Sequence, residues 1–323
     1  MDGGAPPVEA QRAAYLRAKA AARAWLDRLE VDCADLQRHN VKGKKKLAEI
    51  LDAYLSLYRH APDAAEREGI RKRVEALTQQ TRRPEYHNLR DCPEAELTQN
   101  SMSYLRVLVL MDEFGLDTNA YREEVRRAKP RLDAHIEKRG PWQRAMFREY
   151  YDKLGLELPP VLTGTPPMEE GVISRRAPVA EIDDRAAYDL THEVFVAFHY
   201  GLERKQTKFG PADLEYARWV FPALVARYVE RRNPDLVGEL VSCMTYLGWR
   251  SDPACRRGIE YLLASQNLDG SWGSYERHRP TYGKYLEQHV YLHTTMVVLD
   301  ALIHVFEGNW DRAVEDGVSE QRG

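Results

Sequence analysis

Cysteine is scarce. Cys33, Cys92, Cys243 and Cys255 are the only four in 323 residues, at spacings that build neither a disulfide framework nor a paired Cys-x-x-Cys zinc site. A reducing cytoplasm is the compartment this suits. No continuous apolar run follows Met1-Asp2-Gly3-Gly4, so neither a signal peptide nor a membrane span is expected. A surplus of one charge is missing too: the formal balance is −3, which argues against wholesale binding of nucleic acid or of an acidic membrane. The Walker loop, the Gly-x-Ser-x-Gly elbow and His-Glu-x-x-His are absent, which leaves nucleotide hydrolysis, serine-esterase and zincin chemistry without a motif. One local basic run, Lys42-Gly43-Lys44-Lys45-Lys46, has no aromatic residue among its lysines and reads as the solvated start of a helix.

Convincing strands are lacking as well, and what fills the chain is helix of two alternating characters. Segments 10–29, 66–79, 120–138 and 212–231 are amphipathic and highly charged, as expected of helices with one wet face, and Pro222 should kink the last. Segments 47–58, 101–114, 187–200, 236–247 and 290–306 are more apolar, and 142–154 is an ambiguous member of that set. Alternation of this kind predicts an array of helical hairpins. The stretch 156–178, with Pro159, Pro160, Gly164, Pro166, Pro167, Gly171 and Pro178, cannot continue a helix and reads as a long loop.

The most specific local pattern is Gln266-Asn267-Leu268-Asp269-Gly270-Ser271-Trp272-Gly273. It follows an amphipathic helix with Ile259, Leu262 and Leu263 on one face and precedes a helix that is apolar almost all round. Asp-Gly bends the chain, the two glycines permit positive φ, and Trp272 supplies apolar surface to pin the turn. Gln-x-x-x-Gly-x-Trp resembles the repeat motif of the terpene cyclases and their relatives, the α/α toroids that include the protein prenyltransferases. The resemblance implies an all-α fold in which the apolar helices form an inner ring and the charged ones an outer ring. One full copy of the motif is present and regularity decays toward the N-terminus, so incomplete closure, or an open helical solenoid, is the alternative architecture.

In such a fold, chemistry belongs where inner helices carry polar groups. His192 and His199 are seven positions apart, within about 20° on one helical face, and Asp189 lies nearly one turn before His192. Glu239 and Cys243 form an i, i+4 pair on the next inner helix, as do His289 and His293 at the start of the third. Tyr291-Leu292-His293-Thr294-Thr295 is similar to the Tyr-His-Thr segment of prenyltransferase β-subunits, where the histidine binds zinc. The resemblance implies a metal role for His293 and, less directly, for Cys243. Asp183-Asp184 with Asp189 resembles the Asp-Asp-x-x-Asp motif of terpene synthases, and Glu181-Ile182-Asp183-Asp184 the acid motif of the cyclases. Both depart from those patterns, and a helix N-cap is the expected role of Asp183 or Asp184.

The sequence thus predicts one α/α-toroid domain over residues 1–323, with the 156–178 loop inside it. It predicts a metal-dependent enzyme whose ion is held by His192, His199 and His293, with His289, Asp189, Glu239 and Cys243 as additional ligands. Nitrogen-rich ligation favours iron or copper and oxidative chemistry on a small or peptide-like substrate. Zinc-dependent lyase, cyclase or transferase chemistry, and a binding scaffold without a metal, are the alternatives.

Overall fold

The computed structural model describes residues 8–164, 171–206 and 208–310. Among them there is no strand, only an isolated bridge between Gln266 and Trp272. The fold is all-α. Its helices are α1 (Val8–Arg28), α2 (Cys33–Arg38), α3 (Gly43–Arg59), α4 (Ala64–Thr78), α5 (Glu94–Glu113), α6 (Asn119–Ile136) and α7 (Pro141–Leu154). Then come α8 (Val172–Arg175), α9 (Asp184–Ala197), α10 (Pro211–Glu230), α11 (Pro234–Tyr246), α12 (Pro253–Ala264), α13 (Arg279–Tyr282) and α14 (Leu292–Glu307). Within the loop 156–178, residues 165–170 lie outside the described residues, and the rest carries a 3-10 turn at Pro160–Leu162 and the short α8. α10 carries Pro222 in its interior.

The chain divides into two compact units, each assembled from discontinuous segments. The first comprises Met1–Arg28, Val172–Arg277 and His293–Gly323, the second Leu29–Gly171 and His278–Leu292.

In the first unit α11 is the central element, since every one of its residues is buried. Asn233 starts it, its side-chain oxygen accepting the Leu236 N–H at 3.2 Å, and Pro234 fits the first turn, where no N–H is needed. Gly238 lets it lie close to α14: a Cβ there would stand 2.9 Å from Val297 Cγ1 and 3.5 Å from the Val298 Cα. The run Glu287–Glu307 is apolar and long enough to span a membrane by composition, yet 61% of its most apolar window is buried, as in the core helix of a soluble protein.

The connector after α12 is a closed turn. Gln266 Nε2 donates to the carbonyls of Gly270 and of Ala18 on α1, both at 2.9 Å. Trp272 is fully buried, its indole N–H donates to the Leu262 carbonyl at 2.8 Å, and its backbone N–H donates to Thr295 Oγ1 at 3.1 Å. Gly270 has φ +100, and a Cβ on it would stand 2.3 Å from the Ala21 carbonyl oxygen, so glycine is required twice over.

In the second unit α3 packs against α2, α4 and α5, with Leu47, Ile50, Leu51 and Tyr54 fully buried on α3 and Leu105 and Leu108 on α5. The basic run opening α3 is only partly solvated: Lys42 is exposed and Lys45 keeps 43% of its side chain exposed. Lys44 and Lys46 are both buried, because the α3 start lies tight on α2, where a Cβ on Gly43 would meet the Cys33 backbone at 2.3 Å. Lys46 is neutralised by Glu49 at 2.7 Å, one turn along.

Candidate metal centre

Asp235 and Glu239 are four apart on α11, which stacks their carboxylates on one face, and His293 enters from the second position of α14. One ligand atom from each of the three lies within 4.8 Å of the others. Asp235 is 5% exposed and Glu239 1%, while the His293 side chain keeps 27% exposure. A carboxylate pair in a fully buried helix is costly unless something compensates it.

Helix α9 supplies part of the compensation. The Tyr188 hydroxyl donates to Asp235 Oδ2 and the Thr191 hydroxyl to Glu239 Oε2. Burial, and then the neighbouring Asp235 carboxylate, raise the Tyr188 phenol above its ordinary pKa, so it remains a protonated donor. Asp235 Oδ1 is left buried with no hydrogen-bond partner, and its ion-pair contact is His293 Nε2 at 3.7 Å. Each acid therefore has one oxygen fixed from behind, an arrangement typical of metal-ligating carboxylates. Three such ligands could hold a divalent ion and leave further positions open to water or substrate.

The family described as Domain of unknown function (DUF6895) matches residues 15–303. The chain belongs to that family. No curated protein and no solved structure matches it. The DUF6895 match spans Asp235, Glu239 and His293 as well as the Gln266–Trp272 connector.

Of the residues singled out in the sequence, the structure brings Glu239 and His293 together and adds Asp235. His192 stands beside them, Nδ1 lying 3.7 Å from Glu239 Oε2, while the same nitrogen donates to the Tyr188 carbonyl of its own helix at 2.7 Å. His199 is elsewhere. α9 ends at Ala197, His199 turns to φ +47, and its Nε2 lies 3.5 Å from Glu203, so the seven-residue helical spacing to His192 does not operate. The Cys243 thiol donates to the Thr191 carbonyl at 3.5 Å, and burial followed by the Glu239 charge pushes it well above the ordinary thiol pKa, which opposes the thiolate a metal would need. His289 belongs to the second unit, in the π-helical run Glu287–Tyr291, stacked on Tyr282 at 3.6 Å. Asp189 lies part-exposed on α9, outside the cluster, where its charge acts on Glu193.

Two neighbouring acids on α9 have structural duties. Asp183 is the N-cap, accepting the Ala186 N–H at 2.8 Å. Glu193 accepts the N–H groups of Val172 and Ile173 at 2.6 and 3.0 Å, tying the start of α8 to α9. The residues missed by sequence reading are Asp235, Tyr188 and Thr191. Asp235 had a readable signal, an Asp-x-x-x-Glu pair inside an otherwise apolar helix, whereas Tyr188 and Thr191 become visible only once α9 and α11 are seen packed together.

Proposed function

We propose that the protein is a metal-dependent enzyme of the α/α-toroid type, holding one divalent ion at Asp235, Glu239 and His293 and acting on a small or peptide-like substrate. The observation that carries this reading is the Asp235 carboxylate, 5% exposed, with one oxygen unpartnered and directed at His293. Two hard carboxylates and one imidazole suit iron(II), manganese(II) or zinc(II) better than copper(I). Iron thus stays in front for oxidative chemistry, and the prenyltransferase-like setting of His293 keeps zinc as the alternative. His192, whose Nδ1 lies 3.7 Å from Glu239 Oε2, would be the nearby group to exchange protons with whatever occupies the open positions. The toroid reading draws support from the connector geometry and from the alternation of charged and apolar helices. Four cysteines without a disulfide accord with a cytoplasmic protein and a soluble small-molecule substrate.

The test is elemental analysis of apo-protein reconstituted separately with iron(II) under anaerobic conditions, manganese(II) and zinc(II). Wild type should retain about one ion per chain, and Asp235→Asn, Glu239→Gln and His293→Ala should each lose it. Tyr188→Phe should weaken binding roughly 10- to 100-fold, as expected for a group that orients a ligand. His199→Ala and His304→Ala should keep full occupancy. Full occupancy in the Asp235 and His293 variants, or none in wild type, would leave the binding scaffold as the better account.

A further inference from the structure

Lys44, in the middle of the buried basic run, has no acid to answer it. It is 7% exposed, its Nζ donates to Asn88 Oδ1 at 2.9 Å, and it lies 5.2 Å above the Tyr86 ring. Among the described residues no carboxylate comes within 4.0 Å of it. Its surroundings are not closed: with Cys33, Gln80, Tyr86, Asn88 and Glu96 it lines a cavity of about 470 Å³, within the usual size of small-molecule sites. The first turn of α3 contains no acidic residue and no side chain caps it, so the positive end of a 17-residue helix is also unanswered there.

We propose that this cavity of the second unit binds a small organic anion, its carboxylate or phosphate group taken by Lys44 and its apolar body resting on Tyr86. Asn88 suits the part. Its amide oxygen faces the lysine and its Nδ2 donates to Glu96 Oε1 at 2.6 Å, so Glu96 is held away from the amine by a neutral spacer. Burial, the largest influence, lowers the Lys44 pKa, and a bound anion would act against that shift. The other ionisable groups facing Lys44 are Cys33, whose thiol burial pushes up to about 12, Cys92, raised for the same reason, and Glu96. Arg38, Arg83 and Glu85 are the other charged residues of the lining. The assignment is independent of the metal centre.

Thermal melts and calorimetric titrations of the full chain with sodium benzoate and with phenyl phosphate, against sodium chloride at matched ionic strength, test it. At least one organic anion should raise the melting temperature by about 2 °C or more at saturation, and the stronger of the two identifies carboxylate or phosphate as the group recognised. The shift should vanish in Lys44→Met and Lys44→Gln and persist in Lys45→Met, since Lys45 is directed to Glu49 at 3.5 Å and its side chain is 43% exposed. In wild type alone, affinity should fall as pH rises from about 6 to about 10, because burial lowers the pKa of the amine. No response to either anion, an undiminished shift in both Lys44 variants, or affinity flat across that range overturns the proposal.

Discussion

Glu193 accepts two backbone N–H groups at the start of α8, yet burial outweighs those bonds and pushes its carboxyl up to about 7 from an ordinary 4.5. In the unfolded chain the group ionises near 4.5, so its contribution to stability is complete below that pH and is lost as pH rises through about 7. The difference corresponds to roughly 3 kcal/mol. Glu193→Gln should therefore remove a decline in stability between those pH values, read by urea denaturation across the range, while parallel declines in both proteins would show that other groups set the slope. At this scale the sequence was partly legible. His293 and Glu239 were marked by type and spacing, because a histidine opening an apolar helix and a glutamate inside one are conspicuous. The expected helical pairing of His199 with His192 does not form, because α9 stops two residues before His199 and Tyr200 also adopts positive φ ahead of Gly201.

Among elements, the connector is the most sharply specified, and Trp272 is its anchor. Truncating a fully buried tryptophan whose indole N–H serves the Leu262 carbonyl should cost about 3–5 kcal/mol. Trp272→Ala is expected to show that loss on chemical denaturation while the folded variant binds as much metal per chain as wild type; unchanged stability would mean the turn is held by something else. Helices were legible where three or more turns carried an apolar face: α1, α3, α4, α6, α7, α10 and α11 each fall within a few residues of their expected bounds, while α5 starts at Glu94, well before the expected 101. Short elements were not. α2, α8 and α13 have too few residues to display a period. The lysines of α3 misled for a different reason, since charge alone says nothing about whether a neighbouring backbone covers them.

At the level of the whole molecule, the candidate metal ligands Asp235, Glu239 and His293 all belong to the first unit. An ion that binds the folded form and not the unfolded one stabilises whatever must open to release it. Hydrogen exchange read by mass spectrometry should accordingly slow in α9, α11 and α14 when the preferred ion is added, with α3 to α7 of the second unit unchanged. Equal protection in α3 and α5 would show that the ion's stabilisation is not confined to the first unit. The division into units was not legible from sequence, because each is built from segments far apart in the chain and no composition break marks where one leaves off.

That interleaving has a temporal side. Gln266 donates to the Ala18 carbonyl across 248 positions, so at ribosomal rates of about 5–20 residues per second α1 waits on the order of 12–50 s after its own synthesis for this contact. Tyr15, Ala22 and Leu26, all fully buried in the finished unit, stay without their final neighbours during that interval. The second unit faces a similar delay, since Tyr285 and Gln288 reach back to Asp35 and Glu30. For much of its time on the ribosome the growing chain therefore carries apolar side chains that their final neighbours do not yet cover.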